Sequence, residues 1–97
     1  MVIQFKNIGI HLGARFHGAE IRGEIVAALK QGDEKVIFDL EGVQSVSNSF
    51  ADECFAKLML FFSMDEVKHK TTFVNANSFI RSVIADAFKA RLAQMAV

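Results

Sequence analysis

Three features of the sequence predict an α/β fold: a small, mostly parallel sheet with an N-terminal strand or hairpin and three helices packed on it. Strand-like and helix-like segments alternate along the chain, as right-handed βαβ crossovers require. The run "KVIFDL", residues 35–40, is almost wholly apolar between turn residues, the pattern of a central strand covered on both faces. Three longer segments carry apolar residues at three- and four-residue intervals, the period of a helix with one buried face. At 97 residues the chain closes one hydrophobic core, so residues 1–97 are expected to form a single domain.

The first segment places Val2, Ile3, Phe5, Ile8, Ile10 and Leu12 in rough alternation, broken at Asn7 and Gly9, which predicts a strand or small hairpin ended by Gly13. From Arg15 onward Ile21, Ile25, Ala28 and Leu29 fall at helical spacing among Glu20, Arg22, Glu24 and Lys30. The "QGD" stop with Gly32 ends this first helix at Lys30 or Gln31. After the central strand, Phe50, Ala51, Cys54, Phe55, Leu58, Phe61 and Phe62 predict a second helix from Ser49, with Asp52, Glu53 and Lys57 as a narrow polar face. "TTFVNA", residues 71–76, is β-branched and aromatic and reads as a strand. Ile80, Val83, Ile84, Ala87, Phe88 and Leu92 then form a third helix, capped by Asn77 or Ser78.

Composition excludes several function classes. Eleven Lys and Arg balance eleven Asp and Glu, so no net field draws a polyanion, and nucleic acid is disfavoured. The short group Lys68, His69 and Lys70 follows Asp65 and Glu66 and reads as a solvated turn. One cysteine precludes an internal disulfide, and Cys54 sits on the apolar face of the second helix, where packing outweighs reactivity. The N-terminus lacks the order of a secretion signal, and the longest apolar run, residues 58–62, falls far short of the ~20 residues of a membrane span. A reduced, cytoplasmic setting without membrane contact is the expectation. His11, His17 and His69 have no metal-ligand spacing, and Gly9, Gly13, Gly18 and Gly23 make neither a phosphate loop nor a dinucleotide fingerprint. No cofactor and no metal are expected.

Polar groups gather where α/β folds meet their ligands, at the carboxyl ends of the strands. Asp39 lies near the end of the central strand, Asn75 at the end of the next, and Ser47, Asn48 and Ser49 lead into the second helix. Ser49 with Asp52 three residues on reads as a capping box with Asp in place of Glu, a structural role that needs no ligand. Ser47 and Asn48 are not needed by that cap and stand open between structure and function. The second helix has so narrow a polar face that Met59, Leu60 and Phe62 exceed what one small sheet covers, which points to an interface with a partner or a second copy of the chain.

"VIFDLEGVQSVSNSFADECFAKL", residues 36–58, resembles the core of STAS domains, the fold of anti-sigma-factor antagonists, in which a strand ending in "DL-x-G-V" precedes a serine-bearing loop and a helix. "SNSFADECFAKL" with "TTFVNANSFIRSVI" is more closely similar to a STAS-like family of unassigned function whose pattern runs S-S-S-F-A-D-E, and "GARFHGAEIR", with Arg15, Gly18 and Arg22, is similar to the start of its first helix. The resemblance implies a small STAS-like fold and a non-catalytic, partner-switching module that docks a serine kinase of the histidine-kinase-like ATPase fold. In the antagonists the loop serine is phosphorylated by that partner. Alignment through "DLEGV" puts Ser47 where they carry Asp, Asn48 where they carry the modified serine, and Ser49 with Phe50 where they carry Ser-Gly. A switch here would therefore act at Ser47 or Ser49, or without phosphate. Two other classes stay open: a small ligand- or phosphate-binding domain using the loop before the second helix, and a structural homo-oligomer.

Overall fold

A computed structural model describes residues 1–32 and 35–96. Strand β3 (Val36–Asp39) is central in a parallel three-stranded sheet, flanked by β1 (Val2–Gln4) and β5 (Thr71–Val74). A second parallel pair joins β2 (His11–Leu12) to β4 (Ser45–Val46), in a register that sets His11 beside Ser45. The opening segment is thus no hairpin: a single 3-10 turn over Phe5–Asn7 separates β1 from β2, and the two strands pair with different partners. Along β3, Val36 and Phe38 are buried while Ile37 and Asp39 are half-buried, so only one face of the sheet is fully covered, not the expected two.

Among the described residues four helices, not three, accompany the sheets. Helix α1 (Arg15–Gln31) buries Gly18, Ile21, Ile25 and Leu29. It ends at Gly32 as expected; Asp33 of the "QGD" stop lies outside the described residues. The long second helix expected from Ser49 to Phe62 divides in two, α2 (Asn48–Cys54) and a 3-10 segment (Ala56–Leu60), and a separate helix, α3 (Met64–Lys70), follows it. Its apolar residues are too many for one helical face, and Phe50, Ala51, Cys54, Phe55, Ala56, Leu58 and Met59 are all buried. Tighter i→i+3 bonding after Phe55, begun by Leu58 N–H to the Phe55 carbonyl at 3.1 Å, turns the chain so that both sides reach the core. Ser63 then opens α3 through a full capping box with Glu66. The group from Asp65 to Lys70 is helical, not a turn: acids occupy its first turn and Lys68, His69 and Lys70 its last, as the helix dipole favours. Asn77 caps α4 (Ser78–Met95).

The core is built on phenylalanine. Phe5, Phe38, Phe50 and Phe55 are completely buried, with ring centroids 5.2–6.3 Å apart in tilted and edge-to-face contacts. Cys54 lies among them, and burial pushes its thiol pKa up, away from the reactive thiolate. Among the described residues, no helix is long and apolar enough to cross a membrane.

Candidate functional site

Helices α1 and α2 cross at Gly18. A Cβ added there would stand 3.1 Å from Glu53 Cβ, 3.2 Å from the Phe50 carbonyl oxygen and 3.3 Å from Cys54 N, so the absence of a side chain sets the close approach. That approach brings Arg15 and Arg22 of α1 onto the acidic pair at the end of "SNSFADE". Glu53 is 8% exposed and accepts from Arg15 Nη1 at 2.9 Å, Arg22 Nη1 at 2.7 Å and Lys57 Nζ at 2.5 Å. Arg22 also donates to the Glu53 backbone carbonyl at 2.6 Å. The Lys57 bond above all, with those from Arg22 and Arg15, outweighs burial and holds the Glu53 carboxyl at about 2, against an ordinary 4.5.

Asp52 faces the other way, toward α4. Arg91 grips it with Nε at 3.1 Å and Nη2 at 2.6 Å, and Arg15 Nη1 adds a bond at 3.1 Å. Burial works against the charged carboxylate, but the Arg91 and Arg15 bonds prevail and keep its pKa below the ordinary range. The bonds to Asp52, more than those to Glu53, raise the pKa of Arg15. One network of two carboxylates and four cations therefore ties α1, α2 and α4 together.

Above it lies an open cavity of about 400 Å³. Its lining includes Arg15, Asn48, Ser49, Asp52, Asp86 and Arg91. Asn48 is exposed and Ser49 half-buried, and among the described residues neither side chain has a hydrogen-bond partner. Ser47 is different: its hydroxyl donates to the Gly13 carbonyl at 2.9 Å and accepts from Phe50 N–H at 3.0 Å, which makes it the N-cap of α2. The cap expected at Ser49 thus lies two residues earlier, at Ser47, and Asp52, its expected capping-box partner, is bound by Arg91 and Arg15 instead.

Asp39 and Asn75 are brought together, but not onto this cavity. Asn75 Nδ2 donates to Asp39 Oδ1 at 2.9 Å, and the same oxygen accepts from Glu41 N–H at 3.0 Å. These bonds, the Asn75 one foremost, lower the Asp39 pKa. Asn75 has φ of 59°, a left-handed conformation that Asn tolerates better than most residues. The pair ties the ends of β3 and β5 as a strand-end brace. Of the apolar interface residues, Met59 is only 6% exposed and so drops out; Leu60 is open at 56%, and Phe62 is half-buried against the core with Lys70 Nζ 6.0 Å from its ring centre. Phe61, placed by the sequence on the apolar face of the second helix, is instead 51% exposed.

The structure also pairs His11 Nδ1 with Ser45 Oγ at 2.7 Å, a contact 34 residues apart that no local pattern announces; only the β2–β4 register creates it. Among the described residues no carboxylate stands behind that imidazole, so the geometry lacks the third member of a hydrolytic triad. No group of three metal-ligating side chains occurs among the described residues either.

A family model described as a STAS-like domain of unknown function (DUF4325) matches residues 17–81. The chain belongs to this STAS-like family. Comparisons with curated proteins and with solved structures give no match. The matched span of the STAS-like domain contains Gly18, Arg22, Asn48, Ser49 and the Asp52–Glu53 pair, while Arg15 and Arg91, which complete the network from either side, lie beyond it.

Proposed function

We propose that this STAS-like domain is a non-catalytic regulatory module of the partner-switching type, which docks a serine kinase of the ATPase fold through Asn48, Ser49 and the start of α2. The observation that carries this reading is the division of labour in the loop: Ser47 is consumed by capping, whereas Asn48 and Ser49 stand without partners on the wall of a surface cavity. Of the two serines at which a switch was expected, Ser49 is the one with a free hydroxyl. A phosphate there would add about −1.5 to −2 charges beside Asp52 and Asp86, changing the docking surface while leaving the core untouched.

Calorimetric titration against an ATPase-fold serine kinase from the same genome tests it. Binding by the wild type, lost in Asn48→Arg and weakened in Ser49→Asp, is the expected result. Unchanged binding by Asn48→Arg removes the loop from the interface.

A further inference from the structure

The cavity between α1, α2 and α4 carries two unspent charges of opposite sign, one on α1 and one on α4. Arg15, on α1, uses only Nη1 toward Asp52 and Glu53; its Nε and Nη2 donors have no partner among the described residues, and its side chain is 52% exposed. Asp86, on α4, is exposed and makes no ion pair among the described residues. The remaining pair in the lining, Asp52 and Arg91, neutralises itself through a two-pronged contact and forms part of the wall. With two arginines and two aspartates the lining is neutral in sum, so neither a plain anion nor a plain cation is favoured.

Between these charges stand neutral groups able to donate and to accept: Asn48 and Ser49 on the α2 side and Gln94 on the α4 side. Ala87 and Ala90 keep the α4 wall low, and the volume of about 400 Å³ lies within the range of small-molecule sites. We propose that this cavity binds a small zwitterion of the α-amino-acid class. Its carboxylate meets the open edge of Arg15 with Asn48 and Ser49, and its ammonium meets Asp86 with Gln94. Such binding is independent of any protein partner.

Heteronuclear NMR titration of the full chain with each standard L-amino acid in turn, up to about 10 mM, reaches the weak end of specific binding and tests this. At least one amino acid is expected to shift the amides of Asn48, Ser49 and Gln94 together and saturably. Asp86→Asn, which removes the acidic charge, and Ala90→Leu, which fills the cavity without changing charge, are each expected to weaken that binding by about tenfold or more. Both positions are exposed, and should one variant fail to fold, the other decides. The proposal is overturned if no amino acid shifts those amides, if a folded variant keeps wild-type affinity, or if the same compound lacking its amine or its carboxylate binds equally well.

Discussion

Replacing Glu53 by Gln removes one charge and almost no volume from the junction of α1 and α2. Three cations, Arg15, Arg22 and Lys57, then face an amide that cannot neutralise them. A carboxyl held at about 2 against an ordinary 4.5 represents at most about 3 kcal/mol of stability. Arg15 is half-exposed, so solvent screening reduces the expected loss to about 2 kcal/mol at pH 7. Because the folded-state pKa is depressed, this contribution is fully present above the unfolded value near 4.5 and disappears as pH falls through the folded value near 2. Urea unfolding at a series of pH values reads both features: wild type and Glu53→Gln are expected to differ at pH 7 and to converge between about pH 5 and pH 2. A difference below about 0.5 kcal/mol at pH 7, or one that stays constant down to pH 2, would refute the assignment of Glu53 as the clamp of this junction.

Ser47→Ala should cost about 1–2 kcal/mol, since it removes the α2 cap and leaves the Gly13 carbonyl without its donor, whereas Ser49→Ala should change stability by less than about 0.5 kcal/mol; chemical denaturation of the two variants distinguishes them. Gly18→Val should lower Tm through about 1–3 kcal/mol of overpacking, because two of the three atoms nearest to its Cβ are backbone and cannot swing aside. Cys54 should react with a disulfide reagent only as fast as the native state opens, and reaction at the speed of a free thiol would contradict its burial.

What the sequence made legible was what has a short-range period. The βα alternation, the central strand, the first and last helices and most of the phenylalanine core follow from spacings of two and of three to four residues. The long second helix failed for a reason of the same kind: periodicity records that residues are buried but not that the chain must turn to bury them on two sides, as it does after Phe55. One signal was present and decisive. Ser63 with Glu66 is a better capping box than Ser49 with Asp52, and it marks the start of α3. Of the candidate cavity, the sequence made legible the loop residues Asn48 and Ser49 but not the walls, because Arg15, Arg91 and Asp86 are joined to them only by tertiary packing.

The motif "SNSFADE" can now be read by subtraction. Ser47 caps α2, Phe50 and Ala51 fill the core, Asp52 holds Arg91 and Arg15, and Glu53 holds Arg15, Arg22 and Lys57. Five of its seven residues are thus explained by folding alone, and substitution of any of the five disturbs stability and binding together. Asn48 and Ser49 remain, with no bond that the fold requires. Substitutions at these two positions should therefore separate the quantities, altering recognition at constant unfolding free energy. If Asn48→Arg instead lowered stability by as much as Ser47→Ala, the loop would owe all of its sequence to folding, and recognition would have to be sought on another face of the molecule.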